Sequence, residues 1–237
     1  MNYIDCHCHL IHNVDDGSGS LEESKRNLEL LRSQGVTKVF LTPHVNSPAS
    51  LPGVVREQLL ARYSELVSEC RREPDRYPEP ELGCEYFFAP YKETSMDPLP
   101  MGRSRFVLLE LPYETALNGV VCAVQVAQAH GWHVLLAHPE KYAAFQYQWD
   151  EALMWLRRSG VKVQVEAWNT QKCDPYTWQF IETGTAHVLG TDSHGDRRYP
   201  VFDLAAEALW DWAGTDLQRQ AYVRRLTREN AIDLLGA

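Results

Sequence analysis

The sequence predicts an α/β protein with a mostly parallel sheet and helices packed outside it. Seven short apolar runs have strand character, and helical periodicity fills the stretches between most of them. The chemistry-bearing residues add a third observation. Histidines and carboxylates recur just after those runs, at strand C-terminal ends, where α/β folds collect their functional groups.

In chain order the strand-like runs are 3–6, 36–42 (VTKVFLT), 80–86, 105–111 (RFVLLEL), 133–137 (HVLLA), 161–167 (VKVQVEA) and 186–191. Ser20-Leu21-Glu22-Glu23 is a capping box, with Ser20 as N-cap and Glu23 at N3. It opens a helix running to about Gln34 and stopped by Gly35. Helical periodicity also covers 54–72, 115–130, 148–158, 175–183 and 202–213, and a last helix over 216–235 is expected to break around Thr227. The segment REPDRYPEPE (72–81) is rich in proline and charge and reads as a loop, too short to separate two domains. The 237 residues therefore read as a single domain, 1–237, long enough for a sizeable core.

Hydrophobic residues make up 44% of the chain, which excludes a disordered protein. A net charge of −9 argues against a nucleic-acid backbone or an anionic membrane as the main partner. It also means that handling an anion would require bound cations or a local basic patch. No apolar run is long enough for direct membrane insertion. The first residues lead straight into a strand with no basic-then-apolar leader, so a cytoplasmic location is expected. Six cysteines without C-x-x-C spacing read as reduced, buried thiols.

The opening stretch IDCHCHLIHNVDDG places His7 and His9 two apart on a strand, so they share a face, while Cys6 and Cys8 point the other way. His44 follows the second run in LTPH, Glu85 ends the third in GCEY, and Glu110 ends the fourth in LLEL. His138 ends the fifth in LLAHPE, Asp192 and His194 end the seventh in GTDSH, and Asp15 and Asp16 lie in the first strand-to-helix loop. One such residue alone is most simply a satisfied polar group. Burying this many without partners would cost several kcal/mol each, a cost that divalent cations remove. Nine ligands, counting one of the two adjacent aspartates, exceed the coordination of one ion, so two or three are expected. A His/carboxylate set without cysteine favours manganese, iron or zinc over calcium.

Other candidates read more plainly. His130 sits at a helix C-terminus, and His133 and His187 at strand starts, on the wrong rim. His12 is near enough to contact a substrate, but a loop histidine is the plainer reading. Cys70 to Arg76 (CRREPDR) matches the C-x5-R phosphate loop of cysteine-dependent phosphatases. It has no glycine inside the loop, carries Glu73 and Asp75, and places Cys70 near a helix C-terminus, so the match reads as chance.

The set DCHCHLIHNVDDGSGSLEES, TPH, GCEY, LLELP, AHPEKY and GTDSH, with ENAIDLL near the C-terminus, resembles the PHP (polymerase and histidinol phosphatase) superfamily. Within it, VDDG…LEES and the glutamate of LLELP resemble the manganese-dependent protein-tyrosine phosphatases of bacterial capsule and exopolysaccharide operons. The resemblance implies a distorted (β/α)7 barrel of the PHP type, TIM-barrel-like, with a three-metal cluster at the C-terminal rim. Manganese is the metal it favours, with iron or zinc as alternatives. Carried over by position, His7, His9, Glu85 and Asp192 would bind the first ion. Glu85 would bridge to a second held with Glu110 and His138. Asp16, in preference to Asp15, would take the third with His44 and His194.

Departures from the family pattern bear on the substrate. Lys141 stands where an arginine usually follows the fifth-strand histidine, keeping the charge without the bidentate fork. Arg198, or else Arg197, would supply the second phosphate-binding cation, and Glu166 stands where the family tends to have an amide, as an extra ligand or a partner of one. The expected activity is hydrolysis of phosphotyrosine in protein by water deprotonated near neutral pH and attacking phosphorus in line. Lys141 and Arg198 would offset charge on the non-bridging oxygens. The expected partner is the tyrosine-rich tail of a bacterial tyrosine kinase controlling polysaccharide export. The alternatives are a PHP phosphoesterase acting on a small monoester such as histidinol phosphate, and a metal-bearing regulatory module without activity.

Overall fold

A computed structural model describes residues 2–46, 53–88 and 96–236. Its strands are β1 (Tyr3–Cys8), β2 (Val36–Leu41), β3 (His44–Val45), β4 (Glu79–Leu82), β5 (Glu85–Phe87), β6 (Phe106–Glu110), β7 (His133–Ala137), β8 (Lys162–Glu166) and β9 (Val188–Gly190). Every pairing is parallel, in the orders β1-β2-β4 and β3-β5-β6-β7-β8-β9. These nine segments are the seven expected staves with two of them interrupted. The second breaks at Thr42-Pro43 and the third at Gly83-Cys84. Hydrogen bonding continues across both gaps: Gly83 N donates to Leu41 O at 2.9 Å and Glu85 N to Pro43 O at 3.0 Å. Proline has no N–H for the ladder, so the pairing resumes one step further on.

The ring closes between its first and last staves. Cys8 bridges Ser193, Asp192 N donates to His7 O at 2.7 Å, and His9 N donates to Ser193 O at 2.8 Å. The seven-stave, TIM-barrel-like architecture expected from the sequence is the one observed.

The helices α1 (Leu21–Ser33), α2 (Gly53–Arg72), α3 (Leu117–Ala129), α5 (Trp149–Ser159), α7 (Pro175–Glu182), α8 (Phe202–Ala213) and α9 (Leu217–Arg224) fall where periodicity places them, and short α4 (Ala143–Tyr147) and α6 (Ala167–Gln171) are additional. Ser20 caps α1 by accepting from Glu23 N, but Glu23 reaches Gly19 N and Asp196 N instead of completing the box at Ser20. The last helix does not break at Thr227. It widens into a π-helical turn over Arg225–Glu229 and resumes as α10 (Asn230–Leu235).

Period-two alternation divides the core. Ile4, Phe40, Leu108, Leu135 and Val188 pack inside the ring with Met101, Ala231 and Leu235, whereas their neighbours Val39, Val107, Val134 and Leu189 join the larger core under the helices. A register irregularity between Asp5 and Cys8 interrupts that alternation on β1. The cysteines expected on one face are therefore separated, Cys6 in the inner cluster and Cys8 in the outer. The expectation of six buried thiols also needs correcting: none is bonded to another, but Cys122 is half-buried and Cys173 exposed. Among the described residues, no helix is long and apolar enough to cross a membrane.

Candidate metal centre

The nine candidate ligands meet at the C-terminal rim. Three sets can each present ligand atoms within 4.8 Å of one another: His7, Glu85, His138 and Asp192; His9, Asp16, His44 and His194; and His44, Glu85 and Glu110. His7, His9, Glu85, His138 and Asp192 are buried, while the His44, Asp16 and His194 side chains are 29%, 62% and 15% exposed. The cluster is thus sealed behind and open in front.

Glu85 is the hub. Its Oε2 lies 3.2 Å from both His7 Nε2 and His9 Nε2 and 3.1 Å from His44 Nδ1, and its Oε1 is 2.9 Å from His138 Nε2. Glu110 is further out, 3.9 Å from His138 and 4.0 Å from His44. The grouping differs in two respects from that carried over by resemblance. His138 stands with His7, Glu85 and Asp192, leaving His44 beside Glu85 and Glu110. His9 also stands with Asp16, His44 and His194, as well as near the His7 set.

The hydrogen bonds behind the ligands decide what this arrangement can hold. His7 Nδ1 is 2.9 Å from Gln164 Oε1, and His9 Nδ1 is 2.8 Å from Asp15 Oδ2, both of them acceptors. That network assigns the proton to Nδ1 in both rings, so each Nε2 presents a lone pair. The two Nε2 atoms nevertheless lie 3.1 Å apart, facing Asp192 Oδ1 at 3.5 and 3.3 Å. Lone pairs and carboxylate oxygens converging in a buried space repel unless a cation lies among them. Ligand atoms about 2.0–2.1 Å from one tetrahedral cation would stand about 3.3–3.4 Å apart, close to the separations here. The residues fit a metal ion.

The carboxylates that would face a cation also attract protons to these rings. Burial opposes it, yet Glu85 and Asp192 raise His7, and the bonds to Asp15, Asp192 and Glu85 raise His9 well above its ordinary value. A cation and these protons therefore compete for one space. Burial opposes charge on Glu85 and Asp192, yet the neighbouring imidazoles, His7 foremost, hold both carboxyls well below the usual range. Glu110 goes the other way, raised to about 7 by burial and then by Glu85. Burial and the charge of Lys141 push His138 down to about 4, keeping it neutral and able to donate a lone pair.

Two features of the backbone serve this crowding. His138 and Asp192 have φ of 31° and 51°, a left-handed conformation that costs a non-glycine residue about 1–3 kcal/mol and turns the chain sharply at the strand ends. A Cβ on Gly17 would lie 1.9 Å from His9 O, so only glycine lets the VDDG loop fold back on β1.

The head groups of Lys141 and Arg198 stand beside the cluster and pair there with Asp192. Lys141 Nζ is 3.2 Å and Arg198 NH1 3.0 Å from Asp192 Oδ2. Arg197 turns elsewhere, donating to Asp16 O and Gly17 O, which leaves Arg198 as the cation facing the site. Glu166 lies outside all three ligand sets and pairs with Lys141 and Arg198. His12 pairs with Glu65 at 3.2 Å. Cys70 is buried, its thiol pushed up to about 11 by burial, and Arg76 is bound to Glu29 and Glu73, so the C-x5-R match forms no anion loop.

Gln164 and the orienting role of Asp15 were missed from sequence. Gln164 shares a strand face with Glu166, but a glutamine two residues before a strand end carries no signal of its partner 157 positions away.

The family model for capsular polysaccharide synthesis, CpsB/CapC, matches residues 3–236. The chain is 24% identical over 236 residues to tyrosine-protein phosphatase CpsB of Streptococcus pneumoniae, covering 93% of this chain and 95% of that one. It is 22% identical over 203 residues to tyrosine-protein phosphatase YwqE of Bacillus subtilis strain 168, covering 81% and 77%. Among solved structures, that of YwqE and CpsB, described as unique metal-dependent tyrosine phosphatases, aligns with a TM-score of 0.72 at 20% identity over 94% of this chain and 95% of that one. The phosphotriesterase homology protein of Escherichia coli, with phosphate in its active site, shares the barrel at a TM-score of 0.53 and 12% identity, over 99% and 98%. Matched from its first strand to its last helix, the chain belongs to the capsular polysaccharide synthesis CpsB/CapC family.

Proposed function

We propose that this chain is a metal-dependent phosphomonoesterase acting on phosphotyrosine in protein. The observation that carries the reading is the convergence of paired imidazole lone pairs and carboxylates in a buried space with two cationic side chains at its edge. Cations held by His7, His9, Asp16, His44, Glu85, Glu110, His138, Asp192 and His194, manganese foremost and three in number, would lower the pKa of a water and screen phosphoryl charge. Lys141 and Arg198 bind the non-bridging oxygens and orient the ester, with the open side at Asp16 and His44 admitting it.

The surroundings favour an aryl ester. Tyr113, half exposed, has its ring 6.0 Å from Lys141 Nζ, and exposed Tyr199 follows Arg198 with its ring 6.1 Å from that of Trp168. An exposed aromatic face beside Lys141 suits a phenyl ring better than a flexible alkyl chain. The names of the relatives support the same substrate class. The partner proposed is the tyrosine-rich tail of a bacterial tyrosine kinase, met in the cytoplasm.

Hydrolysis of a phosphotyrosyl peptide and of histidinol phosphate, before and after chelation, tests the reading. Chelation abolishes activity, manganese restores it, the peptide is preferred, and Cys70→Ser stays within about twofold of the parent. A dead Cys70→Ser variant with chelator-resistant activity would overturn metal-borne chemistry, and a preference for histidinol phosphate would move the substrate to the small-molecule branch.

A further inference from the structure

Glu166 ends β8 and is buried, yet it belongs to none of the ligand sets among the described residues. Its Oε2 accepts from Asn169 Nδ2 at 2.9 Å and lies 3.1 Å from Lys141 Nζ, while its Oε1 pairs with the Arg198 guanidinium. Its backbone N–H donates to Glu140 Oε1 at 2.9 Å, which fixes where the carboxyl stands. The same two cations touch Asp192 Oδ2, giving an alternating ring of Lys141, Glu166, Arg198 and Asp192.

The two carboxylates of that ring are not equivalent. Asp192 turns its other oxygen toward His7 and His9, so its charge is shared with the candidate metal position. Among the described residues, the cations that pair with Glu166 are Lys141 and Arg198, with Asn169 as a neutral donor. Those cations are 19% and 31% exposed and still have donors for an incoming anion. A phosphate arriving there competes with a buried carboxylate already bound to the same head groups, where low local dielectric makes that competition strong.

We propose that Glu166 is the positioning residue and internal counter-charge of the anion subsite. It holds both cationic head groups at the rim and subtracts charge from them, and so sets how tightly phosphate is retained after hydrolysis. The proposal rests on the phosphomonoesterase reading above.

Titration calorimetry of inorganic phosphate into the manganese-loaded protein, beside Glu166→Gln and Glu166→Asp, tests it, with metal content and unfolding midpoint measured in parallel. Glutamine keeps an acceptor oxygen but no charge. The phosphate Kd should fall by about tenfold, equivalent to about 1.4 kcal/mol, with KM and kcat for an aryl phosphate falling together as product release slows. Aspartate keeps the charge and should hold the phosphate Kd within about threefold of the parent.

Unchanged or weaker phosphate binding by Glu166→Gln overturns the proposal, and so does a loss of metal from that variant, which would make Glu166 a ligand. A tenfold change in Glu166→Asp would place the effect in geometry and overturn it independently, even if the glutamine variant did not fold. A parent protein that binds no phosphate would remove the phosphomonoesterase reading, and this proposal with it.

Discussion

The two ends of the barrel are built from the same staves and put to opposite uses. At the N-terminal end, Ile4, Phe40, Leu108, Leu135 and Val188 fill the ring with aliphatic and aromatic groups, closed by Met101 and Leu235. At the C-terminal end the next inward positions are Glu110 two residues beyond Leu108, Gly190 two beyond Val188, and His138 just past Ala137. A residue's height on its stave decides whether it contributes burial or chemistry. The apolar end gains from exclusion of water, whereas the polar end confines carboxylates and imidazoles that destabilise each other without a cation. Stability and chemistry should therefore be separable by substitution.

The largest expected effect tests the polar end. Glu85→Ala removes the carboxylate faced by the imidazoles of His7, His9, His44 and His138. Elemental analysis should show loss of more than one equivalent of metal, and kcat/KM should fall by at least about 10³-fold. Wild-type metal content in this variant would sink the bridging role. At the other end, Phe40→Ala empties a fully buried position and should cost about 3–5 kcal/mol in denaturant unfolding. The folded variant should keep its metal and stay within about threefold in kcat. Metal loss from the folded protein would show that the ends are coupled.

The smallest effect is a pH dependence confined to the apolar end. His187, just before β9, accepts from Val163 N at Nδ1 and is pushed down to about 4, first by burial and then by the charge of Lys162. Its ordinary value is 6.5, so the unfolded chain takes up a proton before the folded protein does. Stability from this group is complete above about pH 6.5 and declines as pH falls toward 4, by up to about 3 kcal/mol. Unfolding curves between pH 4 and 7 should be flatter by that amount in His187→Gln. An identical pH slope in parent and variant would assign the acid sensitivity to the metal rim instead.

Much of the rim was legible because metal ligation demands particular side chains and strands impose a simple period. His7 and His9 declare themselves by spacing and most other candidates by following an apolar run, whereas Asp16, in a loop beside Asp15, was singled out by resemblance. The stave breaks at Pro43 and Gly83 were not legible as breaks, since local propensity favours a continuous strand through VTKVFLT and the neighbouring ladder decides where pairing resumes. The division of Cys6 from Cys8 was hidden for a related reason, because a register irregularity reverses alternation without a mark in composition.

By itself the sequence determined the α/β class, the seven staves, the starts of the longer helices and the residue types that can hold a metal, all properties of local propensity and side-chain chemistry. Only the tertiary structure decided who meets whom. It aimed Gln164 and Asp15 at the back of His7 and His9, turned Arg197 away and Arg198 toward the site, and turned Glu166 from the candidate ligand sets toward the cations. Those contacts join residues far apart in the chain, so they depend on the register with which seven staves close into a ring, and no short window of sequence contains that register.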